Sequence, residues 1–241
     1  MRTTMAAFLG LAAAPFAAHA ASSAEVLDLA ARVHYGYYQA EPRTIDTALT
    51  ALDRLGDSPE VVYYRDFAAL RRAQLGNNDR AGAERLRACA QRDPQPGHDK
   101  RLAAEAWVLV AACAQVAGDK GRRERALALA RERDDDNPRI ALVEAWAMTQ
   151  EAGTDSAKRA AASTQLEAVV QAFEMWTPSL DDADWGYAEA LTALAAVALE
   201  RGQARTGRDF IGRALLLAPD YRAALDLRLA LQGGRSVDRS L

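Results

Sequence analysis

Beyond its first twenty residues the chain carries two histidines, His34 and His98, and two cysteines, Cys89 and Cys113. It also has two acidic clusters, Asp134 to Asp136 and Asp181, Asp182 and Asp184. These are the side chains suited to metal ligation, proton transfer or redox chemistry. Neither histidine has a second ligand four residues on or a cysteine nearby, so the helical spacing that holds zinc is missing. No HExxH, GxSxG, CxxC or glycine-rich phosphate loop occurs. The first acidic cluster lacks the alternating oxygens of a calcium loop. Both clusters precede expected helix starts, where carboxylates complement the helix dipole, and both read as solvated caps. No catalytic constellation, metal site or cofactor is therefore expected. The cysteines are open to two readings, one bridge in an oxidising compartment or two small buried apolar side chains.

The segments that position these groups read as helices. Half of the residues are hydrophobic, alanine leads them, and β-branched and aromatic types are sparse, a composition that favours helix. No segment sustains the period-two alternation of a strand. Apolar residues recur at helical spacing over Ser23 to Tyr38, Thr44 to Leu55, Pro59 to Leu75 and Arg80 to Arg92. The breaks fall at Pro42, at Gly56 and at Gly76-Asn77-Asn78. Further helices are expected over Asp99 to Ala117, Arg122 to Arg133, Ile140 to Glu151 and Ser156 to Met175. Trp176 to Asp184 reads as a loop, Tyr221 to Leu231 as a last helix, and residues 233–241 as a disordered polar tail.

Met1 to Ala20 has a different character: Arg2, an uncharged apolar run from Met5 to Ala18, then Ala18-His19-Ala20. This pattern predicts a secretory leader cut before Ala21, leaving a domain over residues 21–232. The run is shorter than the roughly 20 apolar residues that cross a bilayer, so no integral membrane segment is expected in the mature chain. A periplasmic or secreted protein follows. The net charge of −3, with both signs interspersed, argues against a nucleic-acid partner, which usually leaves a basic face.

The stretch from Ala188 to Tyr221 resembles a tetratricopeptide (TPR) repeat, a pattern of large and small positions over about 34 residues. Leu191 and Leu194 occupy the large positions of its first helix and Ala195 the small one. Gly202 lies at the inter-helix turn. Gly207, Ile211 and Ala214 supply the small, bulky and small positions of the second helix, and Pro219 closes the unit. Two residues depart from the pattern: Ala198 stands where the family favours Tyr, and Gly207 replaces the usual Ala. Pro94, Pro138 and Pro219 are not spaced by multiples of the repeat, which leaves room for a more generic α-solenoid, or for a helical bundle.

The resemblance implies an all-α, right-handed α-solenoid of about five antiparallel helix pairs with a C-terminal capping helix. In such a stack the first helix of each pair lines a concave groove that clamps a segment of a partner protein or peptide. The candidate lining is Tyr35, Tyr38, Tyr64, Arg71, Trp107, Trp146, Trp185 and Tyr187. Packing between helices is the alternative role for each aromatic. The run His34-Tyr35-Gly36-Tyr37-Tyr38 cannot turn all its rings to one core, so part of it is expected at a surface. Cys89 and Cys113 fall on elements that stack on each other in this arrangement. The function expected is a non-catalytic scaffold or adaptor of the bacterial cell envelope. A periplasmic enzyme or accessory subunit without a recognisable motif is the alternative.

Overall fold

The computed structural model describes residues 23–76, 79–94, 100–177 and 183–233. The expected leader, the Asn77-Asn78 turn, His98, Asp181, Asp182 and the tail beyond Gly233 lie outside them. Among the described residues there are eleven α-helices and no strand. They are α1 (Ser23–Tyr38), α2 (Pro42–Leu52), α3 (Pro59–Gln74), α4 (Arg80–Gln91), α5 (Lys100–Ala117) and α6 (Lys120–Arg131). They continue with α7 (Pro138–Ala152), α8 (Ser156–Met175), α9 (Tyr187–Glu200), α10 (Ala204–Leu217) and α11 (Arg222–Gly233).

Helix starts follow from cap chemistry. The side chains of Ser58, Asp79, Asp119, Asn137 and Asp155 accept from backbone N–H groups in the first turns of α3, α4, α6, α7 and α8. Asn137 therefore caps α7, and the Asp134 to Asp136 run does not. Pro42 opens α2 and does not merely break α1, because a proline at the first helical position sacrifices no intrahelical hydrogen bond. The helix expected from Thr44 thus begins two residues earlier. Likewise, α7 opens at Pro138 and not at Ile140. At the other end, α11 runs to Gly233, one residue into the expected tail.

Helices pack on their neighbours in sequence and on their next-but-one neighbours. The first kind of contact joins α1 to α2 and α5 to α6; the second joins α1 to α3, α3 to α5, α5 to α7 and α9 to α11. The core centres on α5, where every residue from Trp107 to Gln115 is buried. A helix apolar all round belongs inside the fold. Cys89 of α4 and Cys113 of α5 are joined by a disulfide, with their Cα atoms 6.0 Å apart. Gly207 has a packing reason: a Cβ there would sit 2.6 Å from Leu199 Cδ2, so glycine lets α10 close on α9.

Contacts also join the two ends of the chain. The Tyr221 ring, just before α11, lies 4.9 Å from that of Tyr38 at the end of α1. Arg71 of α3 pairs with Glu189 of α9, 118 residues away.

Candidate functional site

Two places gather functional side chains. The first is the molecular centre, where the Ala183–Gly186 segment passes between α1, α3 and α7. Non-helical backbone inside a protein needs partners for its polar groups, and Arg139 supplies them. Its Nε donates to the Trp185 carbonyl at 2.9 Å, one Nη to the Ala183 carbonyl, and the other to Glu105 at 3.0 Å. The Trp185 indole N–H donates to the Tyr63 hydroxyl at 3.1 Å, and its ring stacks on Trp146 at 6.2 Å. His34 Nε2 meets Asp184 Oδ1 at 2.8 Å.

The segment turns into α9 at Gly186. Its φ of 107° disfavours any side chain, and a Cβ would meet Leu142 and Phe173 within 2.9 Å. Glu189 reaches back to the Gly186 N–H at 2.9 Å through one oxygen and accepts from Arg71 through the other. Arg71 is fully buried. It also donates to Gln74 at 2.9 Å, and its guanidinium lies 4.1 Å from the Tyr37 ring centre. Burial alone would lower the Arg71 pKa, but the Glu189 carboxylate and the surrounding tyrosines hold it above the ordinary value. Burial pushes the Tyr63 hydroxyl well up, so it stays protonated and acts as a hydrogen-bonding group. These polar groups hold the centre shut against itself.

The second place is an open cavity of about 340 Å³ between α3 and α5, closed at one end by the residues after α4. Val62, Tyr63, Leu102, Ala106, Leu109 and Val110 form its apolar walls, and Asp57, Asp66, Arg92 and Asp93 its polar rim, between Pro59 and Pro94. Arg92 grips Asp66 with two nitrogens, one of them at 2.9 Å. Burial pushes the Asp66 carboxyl above its usual range against the opposing pull of Arg92. Tyr63 belongs to both places, facing the cavity and holding Trp185.

Of the eight candidate groove residues, Arg71, Trp107 and Trp185 are buried in packing, Tyr38, Tyr64, Trp146 and Tyr187 are half-buried, and Tyr35 is 52% exposed. Arg71, Trp146 and Trp185 meet at the centre, with Tyr38 beside Tyr37 and Tyr64 edge-on to Tyr63. Desolvation raises the Tyr64 pKa to about 12. Tyr187 stacks on Phe173 at the border of this cluster and accepts from Arg213 at 2.8 Å. Trp107 lies apart, beneath Arg122 and Arg133. Tyr63, Arg139 and Glu189 were not among the candidates. Arg139 carried a signal: a cation in the first turn of a helix opposes the dipole and calls for an acceptor. Glu189 stands at the third position of a capping box. Among the described residues no His, Cys, Asp and Glu group could hold a metal ion, and no helix is long and apolar enough to cross a membrane.

Comparison with protein-family models, with curated proteins and with solved structures gives no match for this chain.

Proposed function

We propose that this chain is an exported, non-catalytic interaction module that holds a segment of a partner protein in the cavity between α3 and α5. The observation that carries this reading is the cavity itself, with its apolar walls and charged rim on rigid helices. A volume of about 340 Å³ falls in the range of sites that enclose a ligand group. α3 and α5 are the first helices of successive pairs, the elements that a right-handed, TPR-like solenoid turns toward its concave side. The binding surface is thus narrower than a groove lined by all eight candidates, because Trp185 of the chain itself fills the centre. The Cys89–Cys113 bridge supports export, since disulfides persist in oxidising compartments such as the periplasm.

The test places a photo-crosslinking benzoylphenylalanine in cells at Asp57 or Asp93, exposed positions on the cavity rim that leave its interior empty, and at Lys158, exposed on α8. A defined crosslinked protein from the cavity positions and none from Lys158 is expected. Cavity positions that yield nothing, or the same products as Lys158, would refute the proposal.

A further inference from the structure

The charges around the α3–α5 cavity are not evenly presented. Asp57 pairs with Arg65 at 2.9 Å and Asp93 with Arg122 at 2.7 Å, yet the partners differ sharply in exposure. The Asp57 and Asp93 side chains are 84% and 80% exposed, whereas those of Arg65 and Arg122 are 18% and 12% exposed. Both guanidinium groups are tied inward. Arg65 donates to the carbonyls of Leu52 and Gly56, at 3.2 and 2.6 Å, and Arg122 to that of Ala90 at 3.0 Å. The third rim carboxylate, Asp66, is buried and closed on Arg92. At the cavity mouth the Asp57 and Asp93 carboxylates therefore face solvent with Arg65 and Arg122 locked behind them, while Arg92, 34% exposed, is held by the buried Asp66.

Resting on the reading of this cavity as the partner site, we infer that its occupant is a protein segment with an aromatic or aliphatic anchor flanked by lysine or arginine. The anchor fills the apolar space between Tyr63 and Ala106. The flanking cations meet Asp57 and Asp93, and an acidic flank is repelled by the same pair. The Cys89–Cys113 bridge fixes α4 to α5 one turn from Arg92 on one wall and Leu109 and Val110 on the other. The site is thereby organised before the segment arrives.

Three acetylated, amidated peptides test the inference against the full chain labelled with ¹⁵N: Gly-Lys-Phe-Lys-Gly, Gly-Glu-Phe-Glu-Gly and Gly-Lys-Ala-Lys-Gly. The basic Phe peptide should shift the amides of Val62, Tyr63 and Ala106, with affinity about tenfold above the acidic one at low salt. That gap should narrow in about 0.5 M salt, where the Debye length shrinks to a few Å. The Ala peptide should not saturate. Ala106→Trp, which fills the cavity from a half-buried position, should abolish the shifts. The exposed pair Asp57→Asn and Asp93→Asn should instead remove the discrimination and keep Phe-dependent binding. Equal affinity for the basic and acidic peptides, or shifts confined to other regions, would overturn the inference. So would phenethylamine binding as tightly as the basic peptide, which would mark a small-molecule site. A crosslinked partner at Asp57 or Asp93 without peptide discrimination would overturn the occupant's chemistry alone; failure of both would remove the site reading as well.

Discussion

Reducing the Cys89–Cys113 bridge should lower the free energy of unfolding by about 3.5 kcal/mol. The cysteines are 24 residues apart in sequence. Closing a loop of that length removes roughly 12 cal/mol/K of unfolded-chain entropy, which is about 3.5 kcal/mol at room temperature. Set against a stability of about 5–15 kcal/mol for an ordinary domain, this is a large share. Both cysteines are fully buried, so the reduced thiols stay packed as small apolar groups and the native contacts change little. The effect should lie in the unfolded chain, which expands once the tie is cut, and the urea m-value should rise with reduction. Urea titrations followed by circular dichroism, with and without a phosphine reductant, measure both quantities. Replacing the cysteines by alanine should reproduce the loss. Serine should cost more, because a buried hydroxyl without a partner adds about 1–3 kcal/mol. Coincident curves with and without reductant, or two free thiols per chain in denatured, unreduced protein, would refute the reasoning.

Glu189→Gln leaves the Arg71 cation buried without its counter-charge and should cost about 3–5 kcal/mol by urea unfolding, whereas Arg71→Met with Glu189→Leu should recover part of it; a loss under about 1 kcal/mol for the single change would contradict the pairing. Ala40 closes α1 in the left-handed region, φ 56°, as Glu41 N–H bonds back to Gly36 and Ala40 N–H to Tyr37. Ala40→Gly should therefore raise stability by about 1 kcal/mol in thermal melts, and a decrease would show that the turn is unstrained. Partial burial tends to raise the Asp184 pKa, but its contact with His34 holds it below the usual range. A depressed carboxylate stabilises the fold above its unfolded pKa of about 3.9, and that contribution is lost as pH falls through the lower folded value. The Asp184 side chain is 79% exposed, so the contribution should stay below about 1 kcal/mol. The Tm difference between wild type and Asp184→Asn should be present at pH 6 and shrink as pH falls below about 3.9; a difference that is independent of pH would count against the contact.

The helices were legible because their causes are local. Apolar residues at helical spacing and turn glycines such as Gly202 mark them, and the α8 limits, Ser156 and Met175, are those its pattern predicts. The shifted start of α2 comes from reading Pro42 as a stop; at α7 the Asn137-Pro138 pair marks the start of the fourth helix pair, and Pro138, not Ile140, is the first helical residue. What could not be read was which side chains meet across more than a hundred residues. Arg71 sits in the run FAALRRAQL, where helical spacing alone does not separate a fully buried cation from its half-buried neighbour Arg72. Glu189 lies 118 residues away and no local pattern links the two. The segment Trp176 to Asp184 is polar enough to read as a surface loop, and only the adjoining Trp185 marks where the chain turns inward. The cavity leaves no sequence signal, because it arises where α3, α5 and the chain after α4 fail to fill the space between them.

The closure of the centre also decides where a partner has room. In a linear stack of helix pairs each unit touches only its neighbours, and the inner faces of the first helices stay open. Here Tyr63 and Trp185 meet across 122 residues, Arg71 pairs with Glu189, and Tyr38 touches Tyr221, so that the inner faces of α1 and α3 are covered by the second half of the chain. A partner entering there would have to displace a Trp that is 1% exposed, leaving Arg139 Nε without the Trp185 carbonyl and the Tyr63 hydroxyl without the indole N–H. Each such buried, unpaired group costs about 1–3 kcal/mol before any new contact is made. The space between α3 and α5 requires no such displacement. Under the proposed function, the aromatic residues at the centre act by holding Tyr63 in place as a wall of the cavity, and contact with a partner would fall to the less conspicuous Val62, Leu102 and Ala106.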